Sequence, residues 1–187
     1  SLHPQPLKGN WDEGFALDFH SRYQGRDNIK TELGQMVTDY KYHGHKELAQ
    51  PLAKKLIDFI REHPEYKDVD FLLAIPSTRK DRVYQPVDLL AWEVSKNLDI
   101  PYKSELLVRA RQTEQQKGMK NLEQKRSNIA GAFRVECPEE IRNRRVLLLD
   151  DLVNSGETLK EAMRILKQAG TSTVYVLALT KTMIGGM

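Results

Sequence analysis

The chain has only one cysteine, Cys137. A lone thiol closes no internal disulfide and builds no zinc ribbon, so the core is held by burial and a reducing compartment suffices. No apolar run approaches the roughly 20 residues that a membrane-spanning helix needs. Ser1 to Asn10 lacks the apolar stretch of a secretory signal, and the missing initiator Met reads as a trimmed or engineered start. The expectation is a cytoplasmic protein without a membrane partner. Net charge is only +3, too small to argue for direct binding of nucleic acid but no hindrance to an anionic substrate. Neither Gly-x-Gly-x-x-Gly nor Gly-Lys-Ser/Thr occurs, which removes a dinucleotide-binding domain and a P-loop. No internal repeat or low-complexity tract is present.

What remains is an ordinary globular composition: 187 residues, 40% apolar and 29% charged, enough for one domain with a real core. Residues 1–13 read as loose and polar. Phe15, Leu17 and Phe19 alternate with Ala16 and Asp18 as a strand would, although Trp11, Phe15 and Phe19 also fit a helical spacing. Periodicity predicts helices from Ile29 to Tyr42, broken by Gly44, and from Lys46 to Glu62, closed by Pro64. A buried strand over Phe71–Ile75 stops at Pro76, and a basic loop, Ser77 to Arg82, follows. A helix is predicted from Pro86 to Asn97, with Trp92 assigned to the core, and a strand from Pro101 to Val108. Residues 111–128 are rich in Lys, Arg and Gln, with only Met119 and Leu122 as large apolar side chains, and read as a mobile or partly helical surface segment. Ala132–Val135 and Val146–Leu149 read as strands. A helix over Thr158–Ala169 stops at Gly170, and Val174–Leu179 is a last strand. The strands are continuously apolar rather than alternating. Strand–helix alternation of that kind calls for an α/β fold, a mostly parallel sheet with helices on both faces.

The chemistry concentrates in Val146-Leu147-Leu148-Leu149-Asp150-Asp151-Leu152-Val153-Asn154-Ser155-Gly156-Glu157-Thr158-Leu159. A buried strand runs into two adjacent carboxylates, and a short loop then opens an amphipathic helix. Ligands of open α/β sheets bind at the carboxyl ends of the strands. Free backbone N–H groups at a helix start attract phosphate, and Gly156 permits close approach. Ser155 and Thr158 add hydroxyl donors. Ionised Asp150 and Asp151, on opposite sides of a regular strand, suit sugar hydroxyls or a hydrated Mg²⁺. One end holds phosphate and the other a diol, which makes a cradle for ribose 5-phosphate. The bland alternative is a capped helix beside a solvated strand exit. A receiver domain also pairs acids, but its phosphate acceptor would not sit in a Ser-Gly-x-Thr loop so near the C-terminus.

The same segment resembles the phosphoribosyl pyrophosphate (PRPP) signature of type I phosphoribosyltransferases. Further matches point to the ComF-like (competence protein F) branch: Lys41-Tyr42-His43-Gly44, Ala74-Ile75-Pro76, Arg109, Arg111, Thr113, Gln115, Arg126, Asn128, Gly131-Ala132-Phe133 and Gly170. The likeness runs over about residues 30–180. It departs from the family in three places. The four-cysteine zinc module is absent; the Arg-Gly-Phe-Asn-Gln stretch is reduced to Asp81-Arg82-Val83-Tyr84-Gln85; and Asn154 stands where purine-salvage relatives carry an acid resembling a general base.

The resemblance implies transfer of ribose 5-phosphate from PRPP to a nitrogen nucleophile, with Mg²⁺ as cofactor and release of pyrophosphate. Asp150, Asp151 and Arg111 are the expected catalytic residues. Asp150, Asp151, Asn154, Ser155, Gly156, Glu157 and Thr158 are expected to bind PRPP, and Ser77, Thr78, Arg79 and Lys80 the pyrophosphate. Mg²⁺ would meet Asp150 and Asp151 directly or through water. Arg109, Arg111 and Lys117 would touch the pyrophosphate as residues 111–128 close over the reaction. Three parts are expected: an N-terminal segment, 1–65, selecting the nucleophile; a core, 66–182; and a flexible tail, 183–187. The partners are PRPP and a small nucleophile, and relatives commonly form homodimers. The alternative function is a PRPP- or nucleotide-binding regulator or DNA-uptake accessory without transfer. His43 and His45, without a third ligand, read as surface polar groups rather than a metal site.

Overall fold

A computed structural model describes residues 1–111 and 121–183. In chain order the elements are β1 (Gln5–Pro6), β2 (Glu13–Phe19), β3 (Ser21–Gln24), β4 (Asp27–Lys30), α1 (Glu32–Tyr42), α2 (Ala49–Glu62), α3 (Pro64–Lys67), β5 (Phe71–Ala74) and α4 (Pro86–Leu98). Then come β6 (Leu107–Arg109), α5 (Leu122–Ile129), β7 (Phe133–Val135), α6 (Pro138–Ile141), β8 (Arg145–Val153), α7 (Glu157–Gln168) and β9 (Thr173–Lys181). The central sheet has the order β1-β2-β9-β8-β5. Its four longer strands run parallel, and β1 adds an antiparallel edge. Two ribbons, β3–β4 and β6–β7, stand apart from it.

The middle strands are apolar along their length because both faces are covered. On one face α1, α2 and α4 bring Val37, Leu52, Leu56, Ile60 and Leu90 onto Leu147, Leu149 and Leu177. On the other, α5, α6, α7 and the β6–β7 ribbon bring Ile129, Ile141, Leu166 and Phe133 onto Val146, Leu148 and Val176. Each such leucine contributes about 1.5–3 kcal/mol by leaving water. No helix among the described residues is long and apolar enough to cross a membrane.

Helix α1 matters most for the site. Thr31 caps it, its Oγ1 accepting from the Gly34 N–H at 2.9 Å and donating to the Phe19 carbonyl at 2.7 Å. A Cβ at Gly34 would lie 1.9 Å from the His20 carbonyl oxygen, so α1 descends onto the end of β2 where any side chain would collide. Its far end is fixed by buried Tyr40, whose hydroxyl donates to the Pro86 carbonyl at 2.7 Å.

Several expectations need correction. The first helix starts at Glu32, because Asp27–Lys30 pairs with Ser21–Gln24 in a hairpin. Pro64 opens the short α3 rather than only closing α2. The strand expected over Pro101–Val108 is reduced to one bridge, Leu72 to Tyr102, and the three residues of β6. That segment leaves the central sheet to pair with β7. Trp92 is not core: it is 48% exposed on the outer side of α4, with its ring edge-on to Tyr102. Within residues 1–65, β2 pairs with β9 in the main sheet. Of the segment 111–128, residues 122–129 form α5, whereas Thr113, Gln115, Lys117 and Met119 lie outside the described residues, as do 184–187 of the tail.

Candidate functional site

A cavity of about 770 Å³ opens at the carboxyl ends of β5 and β8. Three walls define it: the turn after β8, the loop after β5, and a wall from the N-terminal elements that includes His20, Lys30, Thr38 and Lys41.

The turn comes first. β8 runs on to Val153, so Asp150 and Asp151 sit inside the strand rather than beyond it. Both are buried and both line the cavity. This rules out a solvated strand exit. The Asp151 N–H donates to Asp150 Oδ1 at 2.8 Å. Asp151 Oδ1 accepts from the Leu152 N–H at 2.6 Å and from Lys41 Nζ at 3.0 Å. The N–H groups and the Lys41 ammonium thus meet Oδ1 of the two acids, and the two carboxyls also interact with each other. Burial, with the neighbouring Asp151 charge adding to it, pushes the Asp150 carboxyl up to about 8. Burial also works against the Asp151 carboxylate, but the Lys41 ammonium and the Leu152 N–H outweigh it and hold that carboxyl below the usual range.

Beyond the acids, Gly156 turns the chain at φ +83°, in the left-handed region that glycine occupies without strain. α7 then starts with no side-chain cap on Gly156. Ser155 is buried, and its Oγ accepts from the Glu157 N–H at 3.3 Å. Among the described residues the N–H groups of Ser155, Gly156, Thr158 and Leu159 have no protein acceptor. All four residues line the cavity together with Asn154. The turn is therefore a cluster of unpaired backbone donors at a helix start, a ready anion site.

Glu157 does not belong to the cavity lining. Its buried carboxylate receives Arg126 Nε at 2.6 Å, tying α5 to the first turn of α7. A residue in the middle of a binding motif is thus a brace behind it.

The loop after β5 brings Ser77, Thr78 and Lys80 to the cavity, but not Arg79. Arg79 is paired with Asp81 outside, at 3.4 Å. Arg109 lines the cavity. Its guanidinium lies 4.8 Å from the centre of the Phe133 ring, and its Nε donates to the Pro76 carbonyl at 3.2 Å. Burial lowers its pKa to about 10, still charged at neutral pH, and the Asp150 charge opposes the shift. Arg111 is absent from the lining: its guanidinium donates to the carbonyls of Asn128 and Ala130, at the end of α5. Beyond the last residue of β6 no strand periodicity fixes direction, so sequence spacing could not tell which of the two arginines turns inward.

The N-terminal wall contains residues the sequence did not mark for the site. Lys41 appears only inside the Lys41-Tyr42-His43-Gly44 match, and nothing in the sequence marks His20. The His20 ring sits between Thr180 Oγ1, 2.9 Å from Nδ1, and Thr38 Oγ1, 3.2 Å from Nε2. The Thr38 hydroxyl donates to the Gly34 carbonyl, so it accepts from the imidazole at Nε2. His43 and His45 pair with Asp39 and Glu47 instead.

The donor set bears on the expected Mg²⁺. No group of three or more Asp, Glu, His or Cys gathers among the described residues, so no closed protein cage exists. Two adjacent acids on the cavity wall, without a third ligand beside them, fit an ion that keeps most of its water and completes its shell from substrate oxygens, which is the habit of Mg²⁺.

The chain is similar to known proteins. The family model described as "Phosphoribosyl transferase domain" matches residues 89–185, just over half of the chain. The chain belongs to this family. Within the phosphoribosyl transferase family its likeness is to the competence protein F branch. It is 33% identical to competence protein F of Haemophilus influenzae over 101 residues, 54% of this chain and 44% of that protein. The chain thus spans less than half the length of that relative. It is 27% identical to the DNA utilization protein YhgH of Escherichia coli O157:H7 over 157 residues, 81% of this chain and 68% of that protein. Among solved structures, glutamine PRPP amidotransferase of B. subtilis overlays with a TM-score of 0.48 at 15% identity, covering 76% of this chain and 30% of the other.

Proposed function

We propose that the cavity binds PRPP and that this phosphoribosyl transferase domain transfers ribose 5-phosphate to a nitrogen nucleophile. The C1–O bond to pyrophosphate breaks, the C1–N bond forms, and pyrophosphate leaves. The observation that carries the reading is the set of unpaired N–H groups of Ser155, Gly156, Thr158 and Leu159, in residues that line the same cavity as two buried acids.

In this reading the 5-phosphate sits on the turn, held by backbone N–H groups and the Thr158 hydroxyl. The ribose diol donates to the carboxyl oxygens of Asp150 and Asp151. The diphosphate extends toward Ser77, Thr78, Lys80 and Arg109. Charge collects on it as the bond to C1 lengthens, and the held Arg109 guanidinium, with the Lys80 ammonium, stabilises that charge better in a water-poor cleft than in bulk water. Asp150 and Asp151 face the cationic sugar that develops as the leaving group departs. Mg²⁺, held through water by Asp150 and Asp151 and by substrate oxygens, would neutralise the diphosphate. Asn154, next to Ser155, takes no proton at neutral pH, so deprotonation of the nucleophile does not run through it.

Calorimetric titration with PRPP tests the binding half. The expected result is one site per chain, with the double variant Asp150→Asn, Asp151→Asn binding far more weakly while keeping its circular dichroism. Unchanged affinity in that variant would overturn the reading. Pyrophosphate release with a panel of amines and bases tests transfer. Binding without release under any nucleophile supports the second reading, a PRPP sensor. Asn154 in the turn and the names of the relatives, a competence protein and a DNA utilization protein, favour that reading.

A further inference from the structure

The site contains one fixed charge that neither the phosphate turn nor the diphosphate loop requires. Lys41 comes from α1, on the far side of the sheet from α7, and reaches Asp151 across 110 positions of sequence. Nζ lies 3.0 Å from Oδ1, with the lysine side chain 18% and the aspartate side chain 3% exposed. The contact is held in place by its surroundings. Gly34 seats the start of α1 against the His20 carbonyl. At the other end the Tyr40 hydroxyl holds the Pro86 carbonyl, and the Tyr40 carbonyl accepts from the Tyr84 hydroxyl. The ammonium also lies 5.6 Å from the centre of the Tyr42 ring. A side chain that is normally flexible and strongly hydrated is here a fixed cation.

Two neighbouring acids in a partly dry cleft disfavour one another's charge, and one fixed positive charge lets Asp151 stay ionised beside Asp150. Lys41 supplies that charge from within the chain. It does so on Asp151 Oδ1 alone, which leaves a water-held Mg²⁺ to serve the diphosphate rather than to neutralise the pair.

Resting on the PRPP reading above, we propose that Lys41 is an internal counter-cation of the Asp150–Asp151 pair. The ribose-binding half of the site then works without Mg²⁺, and any need for the ion is confined to the diphosphate half. Lys41 acts through the acids and is a positioning residue, not a catalytic one.

Ribose 5-phosphate, which carries the diol and the terminal phosphate but no diphosphate, isolates the relevant half. The full chain and its Lys41→Met and Lys41→Arg variants are titrated with it calorimetrically, in EDTA and again with excess Mg²⁺. The unmodified chain should bind with affinities within about twofold of each other in the two buffers. Lys41→Met should bind about tenfold more weakly in EDTA and recover most of that loss with Mg²⁺, whereas Lys41→Arg should follow the unmodified chain. Equal affinity and equal Mg²⁺ response in the unmodified chain and Lys41→Met would overturn the proposal. So would binding by the unmodified chain only when Mg²⁺ is present. Lys41→Arg keeps the cation, so it separates loss of charge from loss of fold if Lys41→Met is unstable. If the unmodified chain binds PRPP but the variants show no difference in Mg²⁺ response, only this inference fails. If it binds neither PRPP nor ribose 5-phosphate, the parent reading fails with it.

Discussion

The turn after β8 and the loop after β5 leave the same end of neighbouring parallel strands and wall the same cavity, yet they are built differently. The first is shaped by its backbone: Gly156 at positive φ, buried Ser155, and four N–H groups without a protein acceptor among the described residues. The second is shaped by side chains that bond one another. Arg79 pairs with Asp81, Ser77 Oγ accepts from the Arg79 N–H at 3.0 Å, and Val83 stands 97% exposed. One wall is organised before any ligand arrives. The other must give up internal pairings or present only part of itself. Position at a strand end is therefore not enough to make a binding loop; what counts is whether the donors are already committed.

Substitutions in the two loops should break this symmetry most sharply. Gly156→Val forces a β-branched residue into the left-handed region, at a cost of about 1–2 kcal/mol, and places a side chain where the phosphate would lie. PRPP affinity should fall by about 100-fold or more, as read by calorimetry, while Arg79→Ala should change it by less than about threefold. Comparable losses in both would mean that the two loops are equivalent after all.

The two arginines at and just beyond the end of β6 sharpen the contrast further. Arg109 faces the cavity and Arg111 does not, so Arg109→Ala should weaken PRPP binding by about tenfold, the loss of one charge-assisted hydrogen bond. Arg111→Ala should leave binding unchanged and instead cost about 1 kcal/mol of stability in urea unfolding, through the carbonyls it leaves behind at the end of α5. The reverse result would restore the assignment made from sequence.

A smaller effect distinguishes the acids of the two walls. In the unfolded chain Asp150 releases its proton in the ordinary carboxylate range, whereas in the fold it keeps it to about 8. Between those limits unfolding releases a proton, so stability must fall as pH rises and level off above about 8. Asp81, exposed and held below its ordinary value by Arg79, contributes nothing of that sign. In metal-free buffer the melting temperature should decline from about pH 5 to about pH 8. Asp150→Asn should flatten that decline and Asp81→Asn should leave it. A flat profile in the unmodified chain would show that Asp150 is ionised throughout.

The turn was legible in the sequence because all of its parts are contiguous. Strand, acids, Gly156 and helix follow one another, and each carries a local signature. The sheet was legible for a related reason: strands buried on both faces read as unbroken apolar runs, as Val146–Leu149 does. What could not be read comes from contacts between distant segments. The reach of Lys41 to Asp151 depends on how low α1 sits on β2. The end of β8 was placed too early because Asp150 and Asp151 look like residues that leave a strand, and only the ladder to β9 carries them further inside. Trp92 looked like core by its chemistry, but the inner side of α4 is already filled by Leu90, Ala91 and Val94. Glu157 and Arg111 lie off the cavity lining for one common reason: a charged residue beside a motif can equally well brace it from behind.

The height of α1 is set by something missing, since Gly34 offers no atom to meet the His20 carbonyl. A saturation library scored for PRPP binding should therefore find position 34 almost as intolerant as the turn itself, although no ligand comes near it. Read without the three-dimensional arrangement, that intolerance would be mistaken for direct contact.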